Sequence, residues 1–167
     1  QMKELFNITE SVITGEDLIK AILKSQVDLL WFGGIGTYIK STSESALDAA
    51  DPANNSVRVN ATDVRSTIIV EGANLAITQK GRIEFDTNGG QINTDAIDNS
   101  AGVNMSDYEV NIKILLSSLM RQNVIKSDSD RNKILEQATS DVTQLVLNNN
   151  ISQHYLISMD QYFLNGE

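Results

Sequence analysis

With 167 residues, 41% of them hydrophobic, the chain holds enough apolar material for one well-formed core and hardly two. Its 13 Lys and Arg against 22 Asp and Glu give a net charge of -9, which repels a phosphate backbone or an anionic bilayer and argues against nucleic-acid and membrane partners. The absence of cysteine removes disulfides, thiolate nucleophiles and thiolate metal sites together, and favours a reducing, cytoplasmic setting.

No apolar run approaches the roughly 20 residues that span a bilayer. The opening Gln-Met-Lys-Glu-Leu-Phe lacks a signal peptide's hydrophobic region, and its methionine in second place reads as an artificial boundary. Thr14-Gly-Glu-Asp17 ahead of Leu18, Ile19, Ala21, Ile22 and Leu23 predicts a capped helix that ends near Ser25. Val27 to Phe32 is a compact apolar run stopped by Gly33 and Gly34, the pattern of a strand buried on both faces. Residues 41 to 56 are polar, carry the only proline, Pro52, and read as a mobile surface loop with a helical turn around Glu44 to Ala50. A short helix is expected at Ala61 to Arg65. Thr67 to Val70 is a second β-branched run, of the parallel type, ending at Glu71-Gly72. Alternation in Arg82-Ile-Glu-Phe-Asp86, with Gly81 before it and Asn88-Gly-Gly90 after it, predicts a hairpin or protruding loop. Gln91 to Ile97 reads as a third strand.

Beyond Ser106 the pattern is helical. One apolar face runs from Val110 to Met120, a break covers Asn123 to Ser129, and a second face runs from about Asp130 to Val146. Asn148-Asn-Asn150 reads as the end of that helix, with a third helix over Ser152 to Phe163. Ser106-Asp-Tyr-Glu109 has the form of a capping box.

Chemistry concentrates in Asp95 to Lys113, where a polar, glycine-containing turn presenting Asp98, Asn99 and Ser100 passes through Gly102 and starts a helix, an arrangement suited to an anion. Two further loops follow strands. Gly33-Gly-Ile-Gly-Thr-Tyr-Ile-Lys40 fails both phosphate-binding patterns, since Ile39 stands where a P-loop needs glycine before lysine and where a dinucleotide fingerprint needs its third small residue. A tight turn and direct contact of the Gly34 and Gly36 backbone with a ligand both remain open. Glu71-Gly-Ala-Asn74 lies at the carboxyl end of a predicted parallel strand, where open α/β sheets bind ligands, and Asn74 offers both a donor and an acceptor; pattern alone nevertheless favours an ordinary strand-to-loop turn. His154, the only histidine, has no second ligand type near it and is read as a surface or interface residue. No metal site and no catalytic residue is assigned.

The segments Asp28 to Lys40, Val70 to Glu84 and Asn93 to Lys113 closely resemble the large bacterial NAD-dependent glutamate dehydrogenases. The resemblance implies the distal part of that enzyme's catalytic region. Position by position, it implies that Gly72 and Asn74 border the nicotinamide ribose of NAD and that Asn99 contacts the nicotinamide end. Val103 and Ser106 would shape the pocket for the side-chain carboxylate of glutamate or 2-oxoglutarate. Ser100 and Ala101 replace the alanine and glycine of the shorter dehydrogenases. The family's catalytic lysine, its aspartate and its pyrophosphate-binding glycines belong to segments not found in this sequence. The expected protein is therefore an α/β fragment, inactive alone, of a cytoplasmic and homo-oligomeric NAD-dependent oxidoreductase of amino-acid catabolism. It would have an incomplete Rossmann-like, mostly parallel sheet over residues 1 to 105 and a helical C-terminal segment over 106 to 167 packing on it. The rivals are a non-catalytic helical interaction or oligomerisation module, and a different nucleotide-binding enzyme using Gly33 to Gly36.

Overall fold

The structure, a computed structural model, describes residues 8 to 166 together with Lys3 and Phe6; most of the opening residues read as a boundary lie outside that set. Two compact units divide the chain after Asp98.

The first unit begins with helix α1, Gly15–Leu23. Thr14 caps it by accepting the Asp17 N–H at 3.1 Å, Glu16 and Asp17 place negative charge at its positive end, and Leu23 enters the core. Strand β1, Leu29–Phe32, follows where expected. Its burial differs from the expectation, because Phe32 is buried whereas Leu29 and Trp31 are 53% and 64% exposed. The physical reason is that β1 is an edge strand of a three-stranded sheet, and one of its faces is left uncovered. Strand β4, Ile68–Glu71, is central and parallel to β1, with Phe32 opposite Glu71. Strand β5, Gln91–Ile92, pairs parallel on its other side. Two short strands that hydropathy does not reveal, β2 at Ile39–Lys40 and β3 at Val59–Asn60, form a second parallel pair. Ile39 also bridges Ile77. Ile39, Ile69 and Ile77 are essentially inaccessible to solvent, each contributing roughly 1.5–3 kcal/mol of burial to the core.

The predicted hairpin after Ile77 is a helix, α2, Gln79–Thr87. Thr78 caps it by accepting the Gly81 N–H at 3.0 Å. At helical spacing Arg82 and Phe85 turn inward together while Ile83 is exposed, so the apolar pair Ile83 and Phe85 that suggested alternation lies on two different faces of a helix. Asn88-Gly-Gly90 ends α2 instead of turning a hairpin. Gly89, at φ 93°, donates to Asp86 O, and Gly90 donates to Phe85 O, the paired closure of a Schellman motif. The third predicted strand is likewise cut short after Ile92, giving way to a one-turn helix α3, Asp95–Asp98.

The polar loop before β3 is anchored at its base. Asp51 accepts the Thr37 N–H at 2.8 Å and Asn54 Nδ2 at 2.6 Å, and Arg58 donates to Thr37 O and Asp51 O. The hydrogen bond from Thr37 N–H, followed by that from Asn54, holds the Asp51 carboxyl below the ordinary aspartate range. A depressed carboxylate contributes stability above its unfolded value and loses it as pH falls through the folded one. Hydrogen exchange should therefore find the Thr37 amide protected at neutral pH and losing that protection only as pH falls below the ordinary aspartate value of about 4; equal Thr37 protection in Asp51→Ala at neutral pH would contradict this role for Asp51.

The second unit is a helical hairpin of α4, Asn104–Arg121, and α5, Asp128–Asn165. Asn123, at φ 57°, breaks the chain between them, and Ser127 caps α5 by accepting the Asp130 N–H at 3.1 Å. The predicted stop at Asn148-Asn-Asn150 and the separate third helix do not occur, since α5 runs through as 38 residues. Asparagine disfavours helix interiors when its side chain competes for nearby backbone, and here the three side chains are engaged elsewhere. Asn148 accepts from Gln144, Asn149 donates to the Tyr108 hydroxyl at 2.8 Å, and Asn150 donates to Ser100 Oγ. Among the described residues no helix is long and apolar enough to cross a membrane.

Candidate functional site

In the first unit, the register that sets Phe32 opposite Glu71 brings the two strand-end loops, 33–36 and 72–76, to the same carboxyl edge of the sheet. They are joined further along by Thr37 Oγ1 donating to Leu75 O at 2.7 Å, and by the Tyr38 and Ile39 N–H groups donating to Ala76 O. Gly34 is exposed, with no atom within 4 Å of where a Cβ would stand, so its backbone is open to a ligand. Gly36 is buried at φ 144°, and a Cβ there would lie 2.8 Å from both Asn54 Nδ2 and the Tyr38 ring. That glycine is required by the turn itself. Lys40 donates to Asn60 Oδ1 at 2.6 Å and to Ser41 O, which commits its ammonium to the scaffold.

Gly72 is half-buried and Asn74 exposed. The indole of Trp31 lies across both strand ends: a Cβ on Gly72 would stand 2.6 Å from Trp31 Nε1, and one on Gly33 2.9 Å from its ring carbon Cη2. The turn that carries Asn74 is strained, since Leu75 sits at φ 57°, a conformation that costs a side-chain-bearing residue roughly 1–2 kcal/mol. It is held there by the Leu75 N–H donating to Asp95 Oδ2 at 2.9 Å and by Thr37 on its carbonyl.

Beneath this turn is a charge cluster that the sequence reading did not pick out. Glu71, fully buried, accepts Arg82 Nε on Oε2 at 2.6 Å and Arg82 Nη2 on Oε1 at 3.0 Å, and it also accepts the Ile77 N–H at 3.1 Å. Arg82 Nη2 lies 3.3 Å from Asp95 Oδ1, and Nη1 donates to Gln79. Asp98 Oδ2 accepts the Glu71 N–H at 3.0 Å. Burial pushes the Glu71 carboxyl up, against the hydrogen bonds and charge of Arg82. Burial pulls Arg82 down, but Glu71 and Asp95 outweigh it and leave the guanidinium above its ordinary value. The available signal was a glutamate closing a β-branched strand at a buried position, which demands a cation nearby.

In the second unit, Asn99 is half-buried and its side chain folds back within its own turn. Its Oδ1 accepts the Gly102 N–H at 3.1 Å, and a Cβ on Gly102 would stand 2.6 Å from the carboxamide, so only glycine allows that fold. Val103, half-buried, is the residue preceding α4, and Ser106 is exposed in the first helical turn. The predicted capping box does not form. Ser106 Oγ donates to Gly102 O at 2.8 Å, and Glu109 pairs with Lys113. The cause is that the Asn99 turn runs directly into the helix: the Val103 N–H donates to Asn99 O and the Met105 N–H to Ser100 O, so upstream carbonyls do the work expected of the serine.

Residues 1–160 match the family model described as bacterial NAD-glutamate dehydrogenase, catalytic domain. The chain is 57% identical over 141 residues to an NAD-specific glutamate dehydrogenase of Mycobacterium tuberculosis, covering 84% of this chain and 9% of that protein. It is 43% identical over 153 residues to the enzyme of that name from Halomonas elongata, covering 92% and 9%. With that from Pseudomonas aeruginosa it shares 45% identity over 161 residues, covering 96% and 10%. The chain thus spans about a tenth of the length of the curated relatives it matches, and it belongs to the family of bacterial NAD-glutamate dehydrogenase catalytic domains.

Proposed function

We propose that this chain supplies coenzyme and substrate contacts to an NAD-dependent glutamate dehydrogenase that converts glutamate to 2-oxoglutarate and ammonia. The observation that carries the reading is the pairing of two loops at one carboxyl edge of parallel strands, where such sheets bind ligands. Gly34 presents open backbone and Asn74 an exposed carboxamide, groups that fit an amide and sugar hydroxyls. The bound coenzyme supplies the hydride acceptor. Gly72 and Asn74 border its nicotinamide ribose, Gly34 approaches it through backbone, and Gly36 shapes the turn that presents Gly34.

In the second unit Asn99 serves the nicotinamide end, which requires its carboxamide to give up Gly102. Val103 supplies an apolar wall. Ser106, in the first turn of α4, receives the substrate carboxylate with help from the helix dipole. The lysine and aspartate that move protons in this family lie in segments not found here, so the chain alone is inactive. The whole enzyme is a homo-oligomer in this reading.

In the complete enzyme, Asn74→Ala should lower kcat/KM for NAD by roughly tenfold, the loss of one hydrogen bond of about 1.4 kcal/mol. Steady-state kinetics checks it, and an unchanged kcat/KM would remove Asn74 from the site. A second reading, a helical association module, is favoured by the run of exposed apolar side chains on α5, including Ile151, Tyr155, Leu156 and Phe163. Concentration-dependent sedimentation without NADH binding would support it.

A further inference from the structure

We propose that Arg82 is the positioning residue of the Gly72–Ala76 loop: its guanidinium bridges Glu71 and Asp95, and these two carboxylates hold the loop by the N–H groups of Ile77 and Leu75. This rests on the reading of that loop as a coenzyme contact and adds the part that sets its shape.

Thr37, Tyr38 and Ile39 hold the loop by the carbonyls of Leu75 and Ala76; its Leu75 N–H and the Ile77 N–H that follows it are held by the two carboxylates. The loop's fourth residue, Leu75, is in the left-handed region at φ 57° and relaxes if its N–H is released. The group that holds this N–H is Asp95 Oδ2, and the other oxygen of the same carboxylate faces Arg82 Nη2 at 3.3 Å. At the base of the loop, Glu71 Oε1 takes both the Ile77 N–H and Arg82 Nη2, so one guanidinium fixes the orientation of both anchors. The planar fork is essential. Nε and Nη2 bind the two oxygens of Glu71 while Nη2 also faces Asp95, which a lysine ammonium on a flexible stem cannot reproduce in one geometry.

The clamp also includes Asp98, which accepts the Glu71 N–H and lies on the same one-turn helix as Asp95. The three carboxylates Glu71, Asp95 and Asp98 therefore tie β4, its loop and α3 around a single cation. Arg82 is buried, so its action on a ligand is indirect, through the loop.

The test is Arg82→Lys in the 167-residue chain, followed by amide hydrogen exchange and by NADH titration, with the Ile68 amide, which donates to Asp28 O at 2.9 Å in the sheet, as the internal reference. The expected result is exchange at Leu75 and Ile77 at least tenfold faster relative to Ile68, and an NADH Kd at least tenfold weaker, with the Phe32 and Ile68 signals in place. Equal acceleration at all three amides, or a loosened loop with unchanged NADH affinity, would overturn the positioning role. Failure of the unsubstituted chain to bind NADH would instead remove the coenzyme reading, and the exchange ratio alone would then decide whether Arg82 holds the loop. Asp95→Asn, which keeps the shape of the side chain, should loosen Leu75 in the same way; unchanged Leu75 exchange there would also overturn the clamp.

Discussion

Arg82→Met should destabilise the first unit by about 3–5 kcal/mol, the cost of removing one partner from a buried ion pair. The loss comes from what is left behind. Glu71 has no solvent contact, and without the guanidinium its charge is met only by the Ile77 N–H and a repelling Asp95. At roughly 2–4 °C per kcal/mol for a chain of this size, the melting midpoint should fall by about 6–20 °C.

The deficit should depend on pH, and its sign is fixed. Burial already raises the Glu71 carboxyl above its ordinary value, and loss of Arg82 raises it further. A carboxyl raised on folding contributes stability that is present below its unfolded value and is lost as pH rises through the folded one. The variant should therefore lie closest to the parent under mildly acidic conditions and furthest from it above neutrality. A deficit equal at pH 5 and pH 8 would mean that Glu71 is not the group left uncompensated. Adding Glu71→Leu to Arg82→Met should recover part of the loss, because the orphaned charge disappears, although the Ile77 N–H and Asp95 remain without their former contacts.

Ile39→Ala should cost about 2–5 kcal/mol, the range for truncating a fully buried isoleucine. Ile39 is 0% exposed and stands where three segments meet: it pairs with Val59, bridges Ile77, donates its N–H to Ala76 O and accepts the Thr78 N–H. Collapse around the cavity is limited, because the same backbone is fixed on both sides. Ile35→Ala, only four residues earlier but 88% exposed, should stay within about 0.5 kcal/mol of the parent. Urea unfolding of the two variants side by side checks the contrast, and similar midpoints would place Ile39 outside the cooperative core.

How much was legible beforehand depended on whether the signal was local. Helix α1 carried its own cap and stripe, and β1 and β4 were apolar runs ended by glycines. Helix α2 was missed because Gly81 and five alternating residues outweighed Thr78, whose capping role becomes visible only once Phe85 is known to be buried. The strands β2 and β3 are two residues each, too short for any period. The false stop in α5 arose from reading Asn148 to Asn150 by intrinsic preference, when Tyr108 and Ser100, some 40 to 50 residues away in sequence, receive two of those side chains.

The candidate site divides in the same manner. The strand-end position of Gly72 and Asn74 could be read from the run before them. Two things could not: that Gly36 is a buried turn residue while Gly34 is open, and that the indole of Trp31 lies over Gly72. The clamp on Glu71 was hidden for another reason. A strand-closing glutamate announces that a cation is needed, but nothing local says that Arg82, on a helix read as a hairpin, supplies it.

The central claim is that the loops at the carboxyl edge of β1 and β4 bind the coenzyme, and the most direct measurement is an NMR titration of this chain with NADH and then 2-oxoglutarate. The account predicts NADH-dependent shifts at the Gly34, Gly72 and Asn74 amides and at Asn99, with Ser106 responding when 2-oxoglutarate is added. A folded spectrum with no shift at any of these positions, or with shifts confined to α5, would contradict it and leave the helical association reading in its place.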